Sequence, residues 1–134
     1  MSNPPNTSLQ VPKIIWFALT ISQVVYGVVG MSISPDSSEG NDILAIGLLV
    51  MGLSNAVLSF VVVPKFFKVT SRENALSLFI VQWALIESIA IFGLVGKIMA
   101  GSLPLMIGMI SMSFIFMLLL FPSEKRWNAL IQPK

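Results

Sequence analysis

Long apolar stretches alternate with short polar connections along this chain. The apolar stretches cover residues 14–33, 43–63, 75–95 and 103–121. Each is close to the ~20 residues that an α-helix needs to cross a hydrocarbon layer of ~30 Å. The pattern predicts an all-α integral membrane protein, with four transmembrane helices in a single domain over residues 1–134. Trp127 and Leu130 stand at helical spacing in the remaining residues 122–134, which indicates an interfacial tail.

Residues at the edges of the apolar stretches predict where the helices begin and end. Asn41 is placed to cap the second helix and Ser102 the fourth, and residues 70–73 form a Thr-Ser-Arg-Glu capping box before the third. Pro64 and Pro122 are expected to close the second and fourth helices. The connections are short, so no soluble domain is expected outside the membrane.

The composition agrees with a membrane protein and narrows the chemistry. Hydrophobic residues make up 55% of the chain and charged residues 10%, against about 25% charged in soluble domains. Cysteine and histidine are both absent, which excludes disulfides, thiolate chemistry and the commonest metal ligand. Carboxylates and amides must therefore carry any ion chemistry.

The basic residues predict the orientation of the helices. Those expected on one side are Lys13, Lys65, Lys68, Arg72, Lys125, Arg126 and Lys134. The opposite side holds Lys97 with Asp36, Glu39 and Asp42. The positive-inside rule then places both termini in the cytoplasm, and we expect the protein in a bacterial inner (plasma) membrane. This topology accounts for the net charge of +2, so no nucleic-acid partner is expected.

The chain also resembles itself. A shift of 66 positions aligns Ser22 with Ser88 and residues 26–30 with residues 92–96, so the first helix matches the third. A shift of 58 aligns Pro64 with Pro122. The two matches predict a tandem repeat of a two-helix hairpin, with both copies pointing the same way.

Small residues lie at intervals of three in the matching helices. They are Gly27 and Gly30 in the first helix, and Ala90, Gly93 and Gly96 in the third. Small residues on one helix stripe allow close approach in lipid, where van der Waals contact replaces the hydrophobic effect. We expect this stripe to pack helices in a tight bundle or ring.

Glu87 is the only formal charge inside the four apolar stretches. A charged side chain at the centre of a bilayer costs roughly 2.5–3.5 kcal/mol on insertion scales, and such residues usually have a function. Because no Lys or Arg lies in any stretch to pair with it, Glu87 is expected to hold a proton or a small cation.

Other polar residues share the depth of Glu87. Gln23, Asn55, Ser111 and Ser113 lie near the middle of their predicted helices and are candidates for one polar belt with Glu87. Alternatively, Glu87 stays permanently protonated and only joins helices by hydrogen bonds to Gln23 or Asn55.

Residues 83–95 resemble the carboxylate helix of subunit c, the proteolipid of rotary ATP synthases and ATPases. Ala84-Leu85 precede Glu87, and an aromatic-Gly-Leu-Val pattern follows at residues 92–95. The resemblance implies a ring of subunits in which this carboxylate binds one H⁺ or Na⁺ and releases it through an adjoining membrane subunit. The chain would be a divergent relative, because its carboxylate lies on the third helix and not the fourth.

The resemblance also implies which residues serve the ion. Glu87 would be the ion-binding carboxylate, with the Ser88 hydroxyl and the Leu85 carbonyl beside it. Phe92 stands where sodium-binding members have Tyr, so one hydroxyl is absent, and Asn55 would replace their glutamine on the preceding helix. Gln23 completes our set of candidate ion-binding residues by its depth.

We therefore expect a small homo-oligomeric membrane proteolipid whose Glu87 reversibly binds H⁺ or Na⁺ within a larger ion-translocating complex. One alternative is a structural subunit that packs through Ala90, Gly93 and Gly96. Another is an exporter resembling the small multidrug resistance family, although that family carries its carboxylate on the first helix. An enzyme is not expected, because a single carboxylate without a base, nucleophile or metal cluster makes no reaction site.

Overall fold

A computed structural model describes residues 7–34, 41–67, 69 and 71–131. The helices are α1 (Thr7–Ser32), α2 (Asp42–Val57), α3 (Val63–Phe66), α4 (Arg72–Ala100), α5 (Leu103–Leu119) and α6 (Glu124–Ile131). A π-helical turn, Leu58–Val62, joins α2 to α3. These ranges contain no strand, and the predicted all-α class is confirmed.

Three helical segments are long and apolar enough to cross a membrane. They are Leu9–Ser32, Asp42–Phe66 and Arg72–Ala100. The 17 residues of α5 extend over ~25 Å, and α5 with α6, bent by 70° between them, makes a fourth candidate if the pair is counted as one span. Large apolar side chains cover the outside of the bundle, including Ile14 at 67% and Ile43 at 84% exposure. The protein is therefore a membrane protein.

Three helices, α1, α4 and the helix that contains α2, extend beyond the stretches that hydropathy marks. The first begins at Thr7, not at residue 14, because the apolar stretch marks only the part in hydrocarbon. The prediction that Pro64 ends the second helix is wrong, since helical structure continues to Phe66. A proline ring clashes with the carbonyl four residues earlier. Here the preceding turn widens, and the Val63 N–H bonds to the carbonyl of Leu58, five residues back.

Polar caps fix most of the other helix ends. The predicted caps are confirmed at Asn41, whose Oδ1 accepts from the Leu44 N–H at 3.1 Å, and at Ser102. Ser71 caps α4, and Thr70 of the predicted capping box lies outside the described residues. At its other end α4 continues to Ala100, where Gly101 adopts a left-handed conformation with φ of 64°. Lys97 therefore lies inside a helix and not in a loop.

Several charged residues that support the predicted orientation lie outside the described ranges. Asp36 and Glu39 were expected in the first connection, and Lys68 and Lys134 on the basic side.

The fourth helix is shorter than predicted, since α5 ends at Leu119 and Pro122 follows it.

The central helix of the bundle is α4. It contacts α1, α2 and α5, and its side chains Phe79, Trp83, Ile86 and Ile89 are fully buried. Within the described ranges, α1 and α2 share no extensive contact and flank α4 on either side. One face of α4 is therefore left open between them.

The tail helix α6 packs beneath the bundle. Trp127 is buried and stacks on Phe79 at 6.0 Å, and Phe79 stacks on Trp83 at 5.3 Å. The Arg126 guanidinium lies 5.1 Å from the Phe79 ring centroid and donates to Gln82 Oε1 at 3.3 Å. These contacts fix α6 against the first turns of α4.

Candidate functional site

Glu87 lies at the middle of the central helix. It is the sixteenth of the 29 residues of α4, and its side chain is half-buried. Lys97, the closest cationic residue along α4, is ten residues away, which corresponds to ~15 Å along the helix axis. The carboxyl group therefore lies deep in the apolar region with no cation beside it on its own helix.

Two hydroxyl groups of α1 bind the Glu87 carboxyl. The Ser22 hydroxyl lies 2.5 Å from Oε1 and the Tyr26 hydroxyl donates to the same oxygen at 3.0 Å. Ser22 and Tyr26 are four residues apart and so lie one turn apart on the same face of α1. Neither bond uses the second carboxyl oxygen, Oε2. The carboxyl is thus held on one side and keeps an oxygen for another ligand.

Glu87 borders the open face of α4. Ile80, Ala84, Ile91 and Ile98 are exposed on this face, and their spacings of four and seven residues place them along one stripe of the helix. Since 87 follows 84 by three and precedes 91 by four, the carboxylate lies at the edge of the same stripe. A molecule or subunit approaching this face would reach Glu87 without crossing the core.

Ser88 and Asn55 form a separate contact on the opposite flank of the open face. The Ser88 hydroxyl donates to the Leu85 carbonyl at 2.7 Å, and Asn55 Nδ2 donates to Ser88 Oγ at 2.6 Å. Because the Ser88 hydroxyl donates its one hydrogen to the Leu85 carbonyl, its oxygen can only accept from Asn55, and the Asn55 amide must direct its NH₂ group toward it. This pair ties α2 to α4, as Ser22 and Tyr26 tie α1 to α4.

Gln23 points away from Glu87. It is fully buried, and neither amide atom has a hydrogen-bond partner among the described residues. It lines a cavity of about 250 Å³ between α1 and α5, together with Ser111. Ser113 donates instead to the Ile86 carbonyl at 2.7 Å. The candidate polar belt is therefore divided among four places, and among the described residues only Ser22 and Tyr26 bond to the Glu87 carboxyl.

The small residues differ in what surrounds them. Ala90 is fully buried. A Cβ added at Gly93 would lie 3.0 Å from Met109 Cβ and 3.2 Å from the Met106 carbonyl on α5, and one at Gly96 would lie 2.6 Å from Leu105 Cδ2. A Cβ at Gly30 would collide with the Met106 sulfur.

Gly27 contrasts with the other small residues. A Cβ added there would meet no atom within 4 Å in the described part of the chain. The small stripe of α4 thus lets α5 approach, while the matching stripe of α1 is only partly used within the monomer.

The internal match of the sequence contains a signal for Ser22 and Tyr26, the two hydroxyl partners of Glu87, although they were not predicted from the sequence. The shift of 66 positions aligns Ser22 with Ser88, and Tyr26 with Phe92. Tyr26, which stands at the position of α1 that matches Phe92, donates its hydroxyl to Glu87 Oε1. The match between α1 and α4 therefore pointed to the residues that complete the site.

The site offers a carboxyl group, two hydroxyl groups and no cation. Within the described ranges, no three His, Cys, Asp or Glu residues come together. A carboxyl oxygen with hydroxyl neighbours can take up a proton, or it can contribute to a shell of oxygen ligands around a small hard cation.

No protein-family model, curated protein or solved structure matches this chain.

Proposed function

We propose that this protein is a small oligomeric proteolipid in which Glu87 reversibly binds H⁺ or Na⁺ as part of a larger ion-translocating membrane complex. The proposal includes four membrane spans, with α5 as the fourth, and both termini in the cytoplasm. Ion binding is its whole chemistry, and no covalent step is included. The similarity of residues 83–95 to the carboxylate helix of subunit c supports the oligomeric, ring-like part of the proposal.

One observation carries the proposal. The Glu87 carboxyl lies at mid-helix, is bonded on Oε1 by Ser22 and Tyr26, and borders a face of α4 that the monomer leaves open. A carboxyl group that served only to join helices by hydrogen bonds would be expected in the core of the bundle, between packed helices. At the border of an open face, it can exchange an ion with a neighbouring subunit.

Labelling by a hydrophobic carbodiimide tests this proposal, because the reagent modifies protonated carboxyl groups within the membrane. We expect Glu87 in native membranes to be labelled at low pH, and labelling to fall as pH rises. Protection by NaCl, and not by choline chloride at the same concentration, would identify Na⁺ as the ion. Mass spectrometry of the chain locates the modification, and Glu87→Gln provides the unlabelled control.

Two results would contradict the proposal, one for each of its parts. Absence of labelling at every pH would show that the carboxyl is closed inside the packing. Glu124, an exposed carboxyl on α6, reports in the same spectra whether acidic peptides are recovered. A monomer or a simple dimer in mild detergent would contradict the oligomeric part of the proposal.

A structural role is the second candidate, and the same hydrogen bonds favour it. Ser22 and Tyr26 join α1 to α4 through the carboxyl, as polar residues commonly do between membrane helices. A glutamine at this position would keep an oxygen acceptor for both hydroxyls. If Glu87→Gln leaves the assembly and its ion transport unchanged, the role of Glu87 is structural.

An exporter is distinguished by its substrate. The open face of α4 combines apolar side chains with Glu87, which suits an amphiphilic cation. Efflux of such a cation that is lost in Glu87→Gln would favour the exporter, and no Glu87-dependent efflux is expected under our proposal.

A further inference from the structure

A groove on the outer surface of α1 has properties that the ion site does not use. It has a volume of about 520 Å³ and runs along α1 from Lys13 to Ile21, with Phe121 from the end of α5 on its other side. Ala18 forms part of its floor and is exposed. The nine residues from Lys13 to Ile21 extend over ~12 Å. The groove therefore follows about two turns of α1.

The wall of the groove is held in place by a tryptophan. The Trp16 indole N–H donates to the Met117 carbonyl at 2.8 Å, and its ring meets the Phe121 ring edge-on at 4.9 Å. Because these contacts join α1 to α5 and to the residues that follow it, the groove exists before any ligand binds. Tryptophan at this position also marks the level of the membrane interface, where its amphipathic ring is favoured.

One charged residue stands at the end of this apolar groove. The lining is hydrophobic apart from Lys13, which lies one turn before Trp16 and is exposed. At this end α1 and α4 begin, and α3 and α5 finish.

The charges described at that end are unbalanced. The cationic residues are Lys13, Lys65, Arg72, Lys125 and Arg126, and the acidic ones are Glu73 and Glu124. Five positive charges against two negative charges leave a net charge of +3. An anion is therefore favoured at the Lys13 end of the groove.

We propose that this groove binds an anionic phospholipid of the surrounding bilayer, with its phosphate against Lys13 and one acyl chain between α1 and Phe121. The chemistry at the two ends agrees with this ligand, since an ammonium group pairs with the phosphate and the apolar floor takes the chain. Trp16 separates the two regions at the level of the glycerol backbone.

Quenching of tryptophan fluorescence by brominated lipids tests the proposal in the full-length protein. Trp83 and Trp127 are buried, so lipid-borne bromine reports chiefly on Trp16. Vesicles of phosphatidylcholine receive either brominated phosphatidylglycerol or brominated phosphatidylcholine at equal mole fraction. We expect phosphatidylglycerol to compete for the site about fivefold better, the preference that one basic group at a membrane surface provides.

Three substitutions distinguish lipid binding in the groove from a general attraction of anionic lipid to the positively charged end of the bundle. Lys13→Gln should reduce the fivefold preference to about one, and Lys65→Gln, an exposed cation at the same end, should leave it intact. Ala18→Phe fills the groove from its exposed floor and should reduce quenching by both lipids. All three positions are exposed, so the fold should tolerate these changes.

Several results would overturn lipid binding here. Equal quenching by the two brominated lipids would show that the groove does not select anionic lipid. Retention of the preference in Lys13→Gln would place the anion elsewhere. Absence of quenching together with cross-linking between Lys13 residues of two copies would show that a second protein chain covers the groove.

Discussion

The helices α1 and α4 carry matching residues 66 positions apart but have different surroundings. In the most apolar window of α4, 44% of residues are buried inside the monomer, against 11% in that of α1. Gly93 in α4 lies against the backbone of α5, while its match Gly27 has open space beside it. The same pattern of small and apolar residues thus forms a central helix in one place and a peripheral helix in the other.

The difference shows what a shared pattern determines and what it leaves open. Both helices are long and apolar, and both carry a serine and a ring at matching positions. At the middle of the two helices the carboxyl group occurs only in α4, where Glu87 stands at the position of Ile21 in α1. The hydroxyl partners of Glu87 then come from α1. The two helices divide one site between them, with the acid on the buried helix and the donors on the exposed one.

Adding a carboxyl group to α1 should give the largest effect. Ile21 is 46% exposed on the outside of the bundle, so Ile21→Glu would place a carboxyl group toward lipid. We expect a loss of membrane insertion near the 2.5–3.5 kcal/mol that insertion scales assign to a charged side chain. A translocon insertion assay on the α1 segment measures it, with Ile21→Leu as the control. Insertion equal to that of the control would show that this position does not face hydrocarbon.

Leucine substitutions at Gly93 and Gly27 should differ by an intermediate amount in their effect on the free energy of unfolding. Gly93→Leu would force side-chain atoms into the Met106 backbone and the Met109 side chain of α5, and overpacking of this kind costs about 1–3 kcal/mol. Gly27→Leu should leave the free energy of unfolding within about 1 kcal/mol of the original, since leucine is the better helix former. Unfolding by denaturing detergent, followed by circular dichroism, provides the comparison.

The Gly27 variant also sharpens the question of assembly. If Gly27→Leu dissociates the oligomer while the monomer stays folded, the open side of α1 lies in a contact between subunits. Equal destabilisation by the two leucines would contradict the contrast between the helices.

The hydroxyl contact between the helices should give the smallest effect. Ser22→Ala removes one of the two bonds to Glu87, and such contacts between membrane helices average about 0.6 kcal/mol. Thr20→Ala serves as the control, because Thr20 donates only to the Trp16 carbonyl of its own helix. In a double-mutant cycle with Glu87→Ala, Ser22 should show a coupling free energy and Thr20 none.

The sequence was sufficient for the class of fold and for the depth of the acid. Apolar stretches of spanning length identified the helices, and Asn41 and Ser102 identified two helix starts correctly. The ends at Thr7 and Phe66 were missed, because hydropathy marks contact with lipid and not the extent of helical hydrogen bonding. Pro64 was misread for a similar reason, since a proline can follow a π-helical turn without ending the helix.

The partners of the acid were harder to predict than its position. Depth alone grouped Gln23 and Asn55 with Glu87, but residues at one depth can face different directions around their helices. Ser22 and Gln23 are neighbours in sequence and lie about 100° apart around α1. That rotation brings Ser22 to Glu87 and places Gln23 against α5. Rotation depends on packing, which a single sequence does not specify.

The Ser22 hydroxyl has only one hydrogen for two neighbours. Its oxygen lies 2.7 Å from the Leu19 carbonyl and 2.5 Å from Glu87 Oε1, and a carbonyl can only accept. When Glu87 is ionised, this hydrogen turns toward the carboxylate and leaves the carbonyl. When Glu87 is protonated, the carboxyl can supply the shared hydrogen, and that of Ser22 returns to Leu19. If Glu87 exchanges a proton as we propose, the rotation of this single O–H bond would change the hydrogen bonding of the α1 backbone.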